Sequence, residues 1–139
     1  MREGSGSGSG EQTPKNAGAW NSLGDAFLKS GSYKEAITAF KKAIDMDPNL
    51  ALAYGNLALA LTYQGKYAEA IPLYKAAIEM FPVDKDKAPW LNRLGNAYRK
   101  LNDYDNAINS FRDAIALGDE GANLVTRVRF SLLSNCYTD

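Results

Sequence analysis

The sequence predicts an all-α protein built from stacked pairs of helices. Three observations carry that prediction. One stretch of eighteen residues is written almost identically three times: "GSYKEAITAFKKAIDMDP" from Gly31 to Pro48, "GKYAEAIPLYKAAIEMFP" from Gly65 to Pro82, and "NDYDNAINSFRDAIALGD" from Asn102 to Asp119. A second pattern precedes each copy, as "WNSLGDAF", "YGNLALAL" and "LNRLGNAY". In both patterns the apolar residues recur three and four apart, the spacing that lines up one face of an α-helix.

The elements follow in chain order. Residues 1–16, "MREGSGSGSGEQTPKN", differ in kind from the rest. The Ser-Gly alternation from Gly4 to Gly10 offers nothing to bury and reads as a flexible tail or an engineered linker. It is set aside from the fold, with a natural low-complexity tail as the alternative. The first repeat, 17–50, begins with a helix carrying Trp20, Leu23, Gly24 and Phe27. A second helix follows with Tyr33, Ala36, Phe40 and Ala43. The second repeat, 51–87, matches with Tyr54, Leu57, Ala58 and Leu61, then Tyr67, Ala70, Tyr74 and Ala77. The third, 88–126, matches with Leu91, Leu94, Gly95 and Tyr98, then Tyr104, Ala107, Phe111 and Ala114.

Gly31, Gly65 and Asn102 separate the two helices of each unit and accept the left-handed backbone of a helix end. Pro48 and Pro82 close the second helices, because proline cannot continue them. Gly24, Ala58 and Gly95 are expected where the second helix approaches closely, facing Ala36, Ala70 and Ala107. The aromatics are expected to fill the wider gaps to the next unit. The residues that lengthen the step from unit two to unit three, with "DKD" at Asp84–Asp86, are expected to form a loop. The last stretch, 127–139, reads as a terminal helix carrying Phe130, Leu133 and Tyr137. It is either a cap or the first half of a truncated fourth unit. In the second case self-association through that edge is expected.

The spacing Trp20, Leu23-Gly24, Phe27, Ala36, Phe40, Ala43, Pro48 resembles the tetratricopeptide repeat, a helix–turn–helix unit of 34 residues. Units two and three resemble it too, unit three departing where Asp119 stands in place of the proline. The resemblance implies a right-handed superhelix with a concave groove lined by the first helices. It implies a protein or peptide ligand held there. By position the second, fifth, sixth and ninth residues of each first helix face inward. The candidate groove residues are Asn21, Asp25, Asn56, Leu59, Asn92, Arg93, Asn96, Arg99 and Asn135. Gly55 beside Leu59 is expected to leave room for an incoming side chain. Asparagine both donates and accepts, and so suits a peptide backbone. Arg93 and Arg99 make one end basic. Some relatives clamp the C-terminal carboxylates of chaperones with lysines, asparagines and an arginine. This sequence matches that set at Asn56 and Arg93 but has Asn21, Asp25 and Pro89 elsewhere in it, which argues against such a ligand.

No catalytic set emerges. The chain lacks histidine, the commonest general base and metal ligand. Its single cysteine, Cys136, has no partner for a disulfide or a nucleophilic pair. Asp45, Asp47 and Glu79 read as solvated carboxylates, and "DKD" lacks the spacing of a calcium loop. The expectation is a protein that is not an enzyme and needs no cofactor. Lys+Arg and Asp+Glu are both 16, so there is no basic excess to attract nucleic acid. No apolar run is long enough for a membrane span. The expected location is cytoplasmic. The alternative to ligand binding is a structural or self-assembling scaffold with an empty groove.

Overall fold

The computed structural model describes residues 16–118. The tail before them and the terminal segment 127–139 lie outside the described residues, as does Asn135. Six helices follow one another: α1 Ala17–Lys29, α2 Tyr33–Met46, α3 Ala51–Tyr63, α4 Tyr67–Met80, α5 Asp84–Lys100 and α6 Tyr104–Ala116. Successive helices pack on each other throughout, and α1 also touches α3 as α3 touches α5. The first helix of each pair therefore lies beside its counterparts, and the second helices stand behind them.

Local chemistry sets the breaks. Gly31 and Gly65 adopt φ +85° and +80°, and Asn102 takes φ 64°, so all three turn the chain in the left-handed region. Asparagine is the side-chain-bearing residue that does this at least cost. α2 stops at Met46 and α4 at Met80, two residues before Pro48 and Pro82. Asn16 caps α1 by accepting a 2.7 Å bond from the Ala19 N–H, and Asp103 caps α6 through the Asn106 N–H.

The core runs continuously through the stack, from Leu28, Ala36 and Phe40 to Leu94, Ala107 and Ala114. Two expectations change in it. The large side chains that meet Gly24 and Gly95 are not alanines from the facing helix but aromatic rings. A Cβ on Gly24 would stand 2.5 Å from Cε1 of Phe40, and one on Gly95 would stand 2.7 Å from Cε1 of Phe111. Each glycine thus admits the ring of its own unit's second helix rather than merely letting backbones approach. The second change is at "DKD". Asp84 and Asp86 form the first turn of α5, where acidic side chains meet the positive end of the helix. Lys87 pairs with Asp84 at 3.4 Å. The extra residues lengthen a helix instead of making a loop, and Pro89 sits exposed inside it.

Ala70 has no exposure at all. Ala70→Leu is expected to overpack the α3–α4 contact and cost about 1–3 kcal/mol. Lys42→Glu, on an exposed face, is expected to stay within about 0.5 kcal/mol. Denaturant unfolding of the two variants checks this; equal midpoints would contradict the packing described.

Candidate functional site

The inner surface made by α1, α3 and α5 holds a cleft of about 480 Å³. Its buried lining is Leu28 of α1, Asn56 of α3 and Trp90 of α5. Asp25 and Lys29 of α1 border it as an ion pair at 2.9 Å. Tyr33 and Tyr63 form a lip, their ring centroids 5.5 Å apart and tilted by 32°. Tyr63 is 56% exposed, so an aromatic face stands open to the cleft. Leu59 and Arg93 complete the lining.

Position counting along the first helices therefore brings Asp25, Asn56, Leu59 and Arg93 around one cleft. It does not foresee their depth. Asn21 and Asn56 are both buried, and the Asn56 amide donates to Asn21 Oδ1 at 3.2 Å. That bond ties α1 to α3 across the stack. The expected room at Gly55 is filled: a Cβ there would lie 2.8 Å from Cζ3 of Trp90. Asn96 is exposed and accepts a 3.4 Å bond from Arg99, which is exposed as well. Asn92 is half-buried on α5. Neither Asn96 nor Arg99 nor Asn92 lines the cleft.

Trp90 organises this region. Its ring stacks on Phe81 at 6.2 Å and meets Tyr74 at 6.3 Å. The Arg93 guanidinium sits 4.6 Å from the centroid of the same ring, within the range of a cation–π contact. Among the described residues no carboxylate pairs with Arg93. The cleft thus presents one neutralised cation, Lys29, and one that is oriented but not neutralised. Behind it, burial pushes the Tyr74 phenol above its ordinary pKa, and the Thr62 hydroxyl 2.9 Å away pulls part of that back. Lys75 is raised as well, chiefly by its hydrogen bond to Tyr98.

Leu28, Lys29, Tyr33, Tyr63 and Trp90 were not foreseen as lining. For Trp90 a signal existed, since unit two carries Ala53 at the same place in its first helix. A tryptophan where the sister unit has alanine marks a filled space. No group of three or more acidic or cysteine side chains able to hold a metal occurs among the described residues. No described helix is long and apolar enough to cross a membrane.

Stacked helix pairs with an inner cleft define a helical-repeat array of the kind that serves protein interaction. A family model described as "Tetratricopeptide repeat" matches residues 49–120, and one described as "TPR repeat" matches residues 24–62. The chain belongs to the tetratricopeptide repeat family. A comparison with curated protein sequences finds no match. Among solved structures, the N-terminal domain of stress-induced protein-1 (STI-1) from C. elegans is similar, with 29% identity and a TM-score of 0.72 over 81% of this chain and 91% of that one. MamA is similar at 27% identity and TM-score 0.69 over 77% of this chain; the chain spans 61% of the MamA chain. The second TPR of Spaghetti (RPAP3), solved bound to the HSP90 peptide SRMEEVD, is similar at 28% identity and TM-score 0.68 over 74% of this chain and 93% of that one.

Proposed function

We propose that the chain is a non-catalytic interaction module that binds an extended peptide segment of a partner protein in the cleft between α1, α3 and α5. The observation that carries this reading is Arg93, held against Trp90 with no carboxylate partner among the described residues. An oriented, half-buried guanidinium has already lost much of its side-chain freedom, so pairing with a ligand carboxylate costs little further entropy. The ligand carries an acidic residue at Arg93 and a small apolar residue beside Leu59 and the Tyr63 ring. A similar structure solved with a peptide bound supports a peptide as the kind of ligand.

The chemistry of the cleft argues against a free C-terminal carboxylate as the feature recognised. The Asn56 amide is engaged with Asn21 and so is not free to hold a terminal carboxylate. The segment bound is therefore an internal one.

Peptides selected from a displayed random library on the intact chain supply the probe. Arg93→Ala is expected to weaken their binding by about one to two decades, the worth of a charge-assisted hydrogen bond. Asn56→Ala is expected to act differently. It leaves the buried Asn21 amide without its partner, which costs about 1–3 kcal/mol of stability. Selected peptides that bind Arg93→Ala as tightly as the parent would move the recognition surface elsewhere.

A further inference from the structure

The inward face of α3 departs from the repeat at two places. Counted from the matched leucines Leu23, Leu57 and Leu94, the place of Leu59 is held by Asp25 in unit one and Asn96 in unit three. The place of Tyr63 is held by Lys29 and Lys100. The middle unit alone puts an apolar and an aromatic side chain where its neighbours are charged or polar. Asn56, Leu59 and Tyr63 stand three and then four residues apart, so they share one face of α3. All three line the same cleft. Burial falls along that face: Asn56 is buried, Leu59 half-buried and Tyr63 exposed. Tyr33, the first residue of α2, meets the Tyr63 ring and steadies it from one side. The other side of the ring stays open to the cleft.

We propose that the bound segment carries a proline against the Tyr63 ring, about four residues from the acidic residue that pairs with Arg93. This rests on the reading of the cleft as a peptide site. The separation follows from the repeat. Arg93 is level with Asn56, since each directly precedes its matched leucine. Tyr63 lies two helical turns beyond Asn56, about 11 Å along the axis. The step from α5 to α3, which touch, adds about 8–10 Å sideways. The diagonal is about 14 Å, which an extended or polyproline segment covers in about four residues. The chemistry of the lip selects proline. Charge is not offered there, because Lys29 is already paired with Asp25 at 2.9 Å. An open aromatic face is offered, and proline-rich segments dock on such faces. The buried amides of the cleft are spent on each other, Asn56 on Asn21, and cannot receive a ligand N–H. Proline has no N–H to leave unpaired. Its fixed φ also holds the segment extended beforehand, which lowers the entropy lost on binding.

The test selects displayed peptide libraries on the full chain. Each library fixes one aspartate and one proline at a single separation, from about two to about seven residues, in both chain orders, with the other positions random. A control library fixes the aspartate alone. Enrichment is expected at separations of about three to five in one order, above the control and above the longer separations. A selected peptide is then titrated. Changing its proline to alanine is expected to weaken binding to the parent about tenfold, and to Tyr63→Ala less than about twofold, because the ring it met is gone. Tyr63→Phe is expected to keep the proline preference and Tyr63→Lys to lose it. Tyr63 is exposed at the end of α3, so circular dichroism and melting are expected to match the parent. Should Tyr63→Ala melt lower, Tyr63→Lys takes over the comparison, since the sister units carry lysine at this place. Peptides that need Arg93 but show no preference for proline or for its separation overturn the inference and leave the peptide site standing. A proline whose loss costs the same on Tyr63→Ala as on the parent does so as well. Peptides that bind regardless of Arg93 and Tyr63, or libraries that enrich nothing, overturn the peptide site and this inference with it.

Discussion

Phe40→Ala is expected to lower stability by about 3–5 kcal/mol, the range for truncating a fully buried phenylalanine. Phe40 has no exposure, and its ring lies where Gly24 leaves a side chain out. The ring fills the joint between α1 and α2, so its loss leaves a hole that two rigid helices cannot close. The same geometry makes a sharper statement. Gly24→Ala alone places a methyl group 2.5 Å from the ring and forces the ring aside. In the Phe40→Ala background the methyl enters vacated space, and the helix gains about 1 kcal/mol from replacing glycine. The double variant is therefore expected to be more stable than the sum of the two single effects. Denaturant unfolding of the four proteins closes the cycle. Simple additivity would mean that Gly24 and Phe40 do not meet.

Trp90→Ala is expected to cost a similar amount, about 3–5 kcal/mol. Its ring covers Gly55, stacks with Phe81 and carries Arg93. Losing it opens the contact between units two and three and frees the guanidinium from its orientation. Trp90→Phe keeps an aromatic plane at the same point and is expected to retain most of the stability. Unfolding midpoints separate the two variants, and titration with the selected peptides follows Arg93 in the variant that stays folded. An alanine variant that unfolds at the parent midpoint would show that the ring is a surface ornament rather than part of the packing.

Much of the fold was legible because the repeat imposes the same demands in each unit. Gly31, Gly65 and Asn102 stand at matching places, and each takes the left-handed turn its place requires. The prolines at 48 and 82 stop their helices two residues later than the last helical position. The start of α5 was not legible. A segment reading "DKDKAP" combines charge with a proline that normally sits in a first turn, and only packing further along carries the helix back to Asp84. In the cleft, the angular position of Asp25, Asn56, Leu59 and Arg93 followed from helix periodicity, but their depth did not. Asn56 is buried because Asn21 lies 35 residues earlier in the chain and reaches it across the stack. Gly55 is filled because Trp90 comes 35 residues later. Periodicity within one helix contains no information about either partner.

The amide pair has a mechanical consequence. Asn21 is the fifth residue of its helix and Asn56 the sixth of the next. One joint further on, the matching positions of the repeat hold Gly55 and Arg93; the Trp90 ring packs on Gly55 and the Arg93 guanidinium lies over that ring, so no amide bridge forms there. A hydrogen bond fixes distance and direction, whereas apolar packing of a ring is non-directional. The first joint is therefore held by a directional polar contact, and the second by apolar packing that also orients Arg93.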